Sequence, residues 1–291
     1  MERGFEGVNE KGNVLRGIFK GPSPLCPLKL RNKIIIMVHG LCSSKDNNIF
    51  TELANILPYP SLRFDLRGHG DSEGLRRYGS YAEDYLDLQC VINKLLKDNI
   101  DNTCGSNFKK AGGFTVFCLI GHSKGVASVL RYALKCTEEN IEPLPLIINI
   151  AGRFDFTKTP HQRFSQQQIS ELIANGSFLW GSRGCNYLIT KQDLLDREQN
   201  IHFMQEELRK INCQVLTIHG SKDNTVPVLD AHKFHKEIRC HTLEIIEDAN
   251  HFFTNKTHAN RLGLITLKWL SKKNTSFFQS ATMSEEEQVY Y

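Results

Sequence analysis

The sequence predicts an α/β fold, a mostly parallel central sheet covered by helices on both faces and interrupted once by an insertion. Three observations predict it. Short continuous apolar runs, of the kind needed by strands buried on both faces, recur along the chain. Between them lie stretches whose apolar residues repeat at three- and four-residue spacing, the helical period. The third is the apolar run 114–120, which leads straight into Gly121-His122-Ser123-Lys124-Gly125, a serine between two glycines where a strand turns sharply into a helix.

Taken in order, glycines at 12 and 17 among Val14, Leu15, Ile18 and Phe19 suit an opening β-hairpin over residues 8–20, which Pro22, Pro24 and Pro27 then end. Residues 33–38 form the first fully buried strand, followed by His39-Gly40. The spacing from Ile49 to Leu57 is helical, and 61–66 is another short strand. Tyr81, Tyr85, Leu88, Val91, Ile92 and Leu95 make residues 80–97 the best amphipathic helix in the chain. The strand 114–120 and its serine turn lead into a helix from Val126, and further strands are predicted at 145–151, 214–218 and 241–246.

The alternation breaks between about 153 and 211, a stretch that is helical in pattern and without a strand. This divides the chain into a first core segment (1–152), a helical cap insertion (153–211), a second core segment (212–271) and a tail (272–291) with little to pack, expected to be mobile. The cap holds more aromatic residues than one helix pair would hide. Phe154, Phe178 and Trp180 are its candidates for lining a substrate pocket, with a role in fastening the cap to the core as the alternative for each.

With 291 residues, 40% of them hydrophobic, the chain can bury a substantial core. A net charge of +4, with basic residues scattered apart from pairs such as Lys109-Lys110 and Lys272-Lys273, leaves no footprint for nucleic acid. Nine cysteines (26, 42, 90, 104, 118, 136, 185, 213 and 240) are odd in number and lack the spacing of a disulfide framework or a zinc site. No apolar run approaches membrane-spanning length, and a cytoplasmic setting is expected.

A serine hydroxyl becomes a useful nucleophile when a neighbouring base takes its proton, so Ser123 calls for a histidine and a carboxylate to orient it. Asp223 follows the strand 214–218, and His251 follows the strand 241–246. In a parallel sheet both positions fall at the edge where Ser123 sits. Asp155 is the runner-up acid, and Asp248 is set aside because Asp223 terminates a strand of its own. His122, His39 and His69 read as structural, Asp65 and Arg67 as a charged pair within a turn, and Cys42 as a loop thiol without a base.

On these residues the chain resembles the α/β-hydrolase superfamily, over about residues 30–152 and 212–271. The matching segments are the serine turn, His39-Gly40, Phe64 to Ser72, Asp223 with Val226-Pro227, and Asn250-His251-Phe252. It looks closest to capped serine hydrolases grouped with cinnamoyl and feruloyl esterases, monoacylglycerol lipases and the serine aminopeptidase domain, some of which share a segment like Gly152-Arg153-Phe154-Asp155. Val126 departs from the pattern, standing where many relatives have glycine.

The resemblance implies an oxyanion hole made by the backbone N–H groups of Leu41 and Lys124; the lysine side chain is expected to face solvent, with added positive charge near the pocket as the alternative. It implies hydrolysis of a small-molecule carboxylic ester by Ser123, His251 and Asp223, without metal or organic cofactor. Thioester hydrolysis remains open, as does a hydrolase-like scaffold that binds a small ligand with negligible turnover. Oligomeric state is not legible.

Overall fold

A computed structural model describes residues 1–97, 114–157 and 163–286, with the backbone alone at residue 97 and over 274–286. Cys104, the Lys109-Lys110 pair and residues 287–291 lie outside the described residues. In chain order the elements are β1 (Glu2–Val8), β2 (Val14–Lys20), β3 (Lys33–Val38), α1 (Asn48–Ile56), β4 (Ser61–Phe64), α2 (Tyr81–Lys97), β5 (Thr115–His122), α3 (Gly125–Glu138) and β6 (Leu146–Ile150). After β6 come α4 (Gln166–Asn175), β7 (Ser177–Ser182), β8 (Cys185–Thr190) and α5 (Lys191–His202). The chain closes with β9 (Val215–Gly220), α6 (Val228–Glu237), β10 (His241–Ile246) and α7 (Lys256–Glu286).

Eight strands form one sheet in the order β1-β2-β4-β3-β5-β6-β9-β10. The pairs β1/β2 and β2/β4 are antiparallel, and every pair from β4 to β10 is parallel. The opening hairpin is longer than the sequence suggested, because Phe5 alternates inward on β1 and extends the pairing back to Glu2.

The apolar runs are buried on both faces, as their continuity requires. Ile34, Ile36 and Val38 of β3 face a core shared with α2, α3 and α6, whereas Ile35 and Met37 face a second core shared with α1 and α7. The parallel arrangement gathers the loops that follow β3, β5, β6, β9 and β10 along one edge of the sheet.

Two expectations need correction. The segment 153–211 is not strandless: β7 and β8 form an antiparallel hairpin within it. Phe178 pairs with Ile189 and Trp180 with Tyr187, so these four share one face, while Leu179 and Leu188 share the other and are exposed. The two alternating runs are short and flank Arg183 and Gly184, both left-handed (φ 52° and 75°), so no long period marks them in the sequence. The presumed tail from residue 272 begins as helix, since α7 runs unbroken to Glu286.

Among the described residues no helix is long and apolar enough to cross a membrane. All eight described cysteines are free thiols.

Candidate active site

Ser123 is the first of the two residues between β5 and α3, and its backbone is left-handed, with φ of 54°. A non-glycine residue holds that conformation at a cost, so its surroundings must enforce it. The two flanking glycines make the turn possible. A Cβ at Gly121 would stand 2.6 Å from Val126 Cα, and one at Gly125 would stand 2.2 Å from the Val38 carbonyl oxygen. Val126 is buried against this crossing and Gly152, so its side chain fills space on the helix side of the turn. The Ser123 N–H donates to the Ile150 carbonyl at 2.9 Å, tying the turn to β6.

The three residues named from their strand ends meet. The Ser123 hydroxyl donates to His251 Nε2 at 3.0 Å, and His251 Nδ1–H donates to Asp223 Oδ2 at 2.7 Å. The other carboxylate oxygen of Asp223 accepts the N–H groups of Thr225 and Val226, each at 2.8 Å. His219, fully buried, donates from Nε2 to the Val226 carbonyl at 2.9 Å, with the same nitrogen 3.2 Å from Asp223 Oδ2. Burial alone would raise the Asp223 pKa, but the hydrogen bonds from His219 and His251 outweigh it and hold the carboxyl below its usual range. Burial lowers the pKa of His251, and the Asp223 contact offsets only part of that effect. The imidazole is therefore neutral at pH 7, with its proton on Nδ1 and Nε2 free to accept.

A cavity of about 200 Å³ opens over Ser123 and His251, and Leu41, Lys124 and Trp180 line it too. Among the described residues the Leu41 and Lys124 amides donate to no protein acceptor, so both remain available to a ligand oxygen. The loop carrying Leu41 is held from the hairpin. Tyr187 Oη accepts the Cys42 N–H at 3.1 Å, where Cys42 is left-handed (φ 53°), and donates to His69 Nε2 at 3.1 Å.

Several expectations change here. Lys124 does not face solvent: its ammonium is buried beside Asp84 Oδ2 at 2.7 Å and Ser80 Oγ at 2.8 Å. Phe154 does not line the cavity, because it packs edge-on against Phe234 of α6 at 5.2 Å. Phe178 does not line it either, being sealed among Phe164, Leu172 and Tyr187. Asp65 and Arg67 do not pair with each other: Asp65 holds Lys45 at 2.9 Å, and Arg67 holds Asp87 at 2.7 Å. Asp155 pairs with Lys233 at 2.9 Å and Asp248 with Lys222 at 2.6 Å, both apart from His251.

His39, His69 and His122 each hold a loop by hydrogen bonds to backbone carbonyls, as their structural reading required. Burial pushes the Cys42 thiol up, away from its reactive form.

Sequence reasoning missed His219 and much of the cavity wall: Tyr81, Phe252 and the arginines 153, 163, 183 and 197. Arg153 and Phe252 sit inside segments that carried the family resemblance, which was a signal available for those two. The others come from two helices, a hairpin turn and a loop with no shared spacing.

No protein-family model matches the chain. The uncharacterised protein YDL057W of Saccharomyces cerevisiae is 28% identical over 246 residues, spanning 80% of this chain and 73% of that protein. The α/β hydrolase domain-containing protein 10 from mouse superposes with a TM-score of 0.67 at 17% identity, covering 93% of this chain and 99% of that one. Est1E from Butyrivibrio proteoclasticus, solved with ferulic acid bound, gives 0.66 at 16% identity over 92% of this chain and 99% of that one. The esterase domain of a Rhodothermus marinus protein gives 0.63 at 20% identity, over 92% and 97%. The fold of this chain is that of the α/β hydrolases.

Proposed function

We propose that the chain is a serine hydrolase that cleaves carboxylic esters. One observation carries the reading: three side chains from three separate strand ends form an unbroken hydrogen-bonded line from the Ser123 hydroxyl through His251 to Asp223. A serine at a strained turn, a neutral imidazole with its acceptor nitrogen toward that hydroxyl, and an ionised carboxylate on the other nitrogen are the parts that acyl transfer needs.

In the first half-reaction Ser123 Oγ bonds to the ester carbonyl carbon while His251 Nε2 takes the hydroxyl proton. The tetrahedral oxyanion is received by the Leu41 and Lys124 N–H groups, and loss of one such donor costs roughly 2.7–4 kcal/mol of transition-state stabilisation. The bond from carbon to the alcohol oxygen then breaks, and the proton on His251 passes to that oxygen. Water repeats the sequence on the acyl-enzyme, releasing the acid and restoring the serine. Asp223 remains ionised throughout and stabilises the transient imidazolium.

The relatives in fold whose printed names say esterase support this choice of bond. A fluorophosphonate probe tests it: covalent labelling at Ser123 is expected, lost in Ser123→Ala and strongly reduced in His251→Ala, alongside turnover of short p-nitrophenyl esters. A folded wild-type protein that resists the probe and cleaves none of those esters would sink the proposal.

A further inference from the structure

Four arginines from four different parts of the chain wall the cavity that opens over Ser123. Arg153 comes from the turn after β6, Arg163 precedes α4, Arg183 lies in the β7–β8 turn and Arg197 is on α5. Among the described residues no aspartate or glutamate shares that lining. Among the described residues, Arg153, Arg163 and Arg183 contact neutral groups. Arg153 donates to the Thr225 carbonyl at 2.6 Å, and Arg197 donates to the Tyr81 hydroxyl at 2.8 Å and lies 4.6 Å from the Phe156 ring centroid. The Arg163 guanidinium lies 5.7 Å from the Trp180 centroid, and that of Arg183 lies 3.3 Å from the Phe252 centroid.

Carboxylates nearby in sequence are engaged elsewhere. Asp155 holds Lys233, and Asp196 holds Arg77 at 2.7 Å. Among the described residues, no carboxylate lies within ion-pair distance of Arg153, Arg163 or Arg183. Three buried cations elsewhere each hold a carboxylate: Lys45 holds Asp65, Arg67 holds Asp87 and Lys124 holds Asp84.

Guanidinium groups do not shed their protons at any working pH, so the excess positive charge is permanent. The crowding registers on Arg153, whose pKa is lowered first by burial and then by the charges of Arg197 and Arg163. Aromatic faces orient the guanidinium planes without cancelling their charge. What would cancel it is an anion with planar or tetrahedral oxygens, which the guanidinium fork fits.

We propose that the substrate of this site is an anionic ester, bearing a carboxylate or phosphate that seats among Arg153, Arg163 and Arg183. The proposal rests on the hydrolase reading of Ser123 and narrows its substrate class. The aromatic lining expected of the cap is present in Trp180, but the wall's aromatic rings share it with guanidinium groups.

Two matched pairs of esters test it and distinguish the two anions: mono-p-nitrophenyl glutarate against p-nitrophenyl valerate, and 1-butyrylglycerol 3-phosphate against 1-butyrylglycerol. We expect kcat/KM to favour the charged member of at least one pair by about tenfold or more, with the preferred pair naming the anion. That ratio should fall by about tenfold in Arg153→Gln and in Arg163→Gln, the effect of losing a charge-assisted hydrogen bond. Equal or inverted ratios in both pairs, or a preference that both variants retain, overturn the proposal while leaving the esterase reading intact.

Binding gives a readout independent of turnover. Glutarate or glycerol 3-phosphate should raise the Tm of Ser123→Ala, and that rise should vanish when Arg153→Gln is added. If no ester is cleaved and Ser123 resists the fluorophosphonate, the hydrolase reading fails, and this binding result alone decides whether the arginines hold an anion. Absence of any Tm rise then overturns the anion site as well.

Discussion

His251 works between opposing influences. Burial disfavours its charged form, Asp223 favours it, and the net result lies below the ordinary histidine value of 6.5. Catalysis requires the neutral imidazole, because only an unprotonated Nε2 can take the Ser123 proton. Activity should therefore be present above the folded-state pKa and be lost as pH falls through it. We expect the acid limb of kcat/KM for a neutral ester to have its midpoint below pH 6.5, while circular dichroism stays unchanged across that range. A midpoint at or above pH 7 would mean that Asp223 outweighs burial, contrary to this geometry. Asp223 itself was legible in the sequence as the end of a strand, but its stabilisation by His219 was not. His219 sits four residues earlier and reads as one more buried strand residue until the loop folds back toward Val226.

At the level of elements, the inner parallel strands were plain in the sequence because a strand buried on both faces must be apolar throughout, and 33–38 coincides with β3, while the half-buried edge strand β10 was read at its full length, 241–246. The β7–β8 hairpin was not plain. Its inward face is only Phe178, Trp180, Tyr187 and Ile189, too short a pattern to separate from the helical spacing around it. Yet this hairpin reaches the candidate oxyanion loop through Tyr187, whose hydroxyl is shared between the Cys42 N–H and His69 Nε2. Replacing Tyr187 with Phe removes both hydrogen bonds and keeps the ring, which leaves the buried imidazole nitrogen unpaired at a cost of about 1–3 kcal/mol. The Leu41 amide sits one residue before Cys42, so its aim should loosen as well. The expected result is a lower kcat, approaching the 10²–10³-fold loss of about one oxyanion donor, with KM little changed. Unchanged kcat in a folded Tyr187→Phe protein would show that the hairpin does not position this loop.

The whole molecule divides its work between one edge of the sheet and its two faces. Loops at the C-terminal edge hold Ser123, Asp223 and His251, while helices on the two faces supply burial. That division was legible in outline, because chain order and strand ends placed the three residues together. The cavity's charge was not, since it arises only when a loop, a hairpin turn and a helix remote in sequence close over the edge. Trp269 of α7 tests the separation. It is buried against the α1 side of the sheet, and its indole N–H donates to Thr242 Oγ1 at 3.3 Å, near the start of β10. His251 follows the opposite end of that strand, about 13 Å beyond Thr242 at the usual strand rise. Truncation of Trp269 to Ala should cost about 3–5 kcal/mol through the cavity it leaves. Thermal unfolding should register this as a fall in Tm of order 10 °C. Below the new transition, kcat/KM on a neutral ester should stay within about twofold of wild type, because sites without shared partners act independently. A large activity loss in the cold, folded variant would instead mean that α7 transmits to the His251 loop through β10, and that the platform and the site are one cooperative unit.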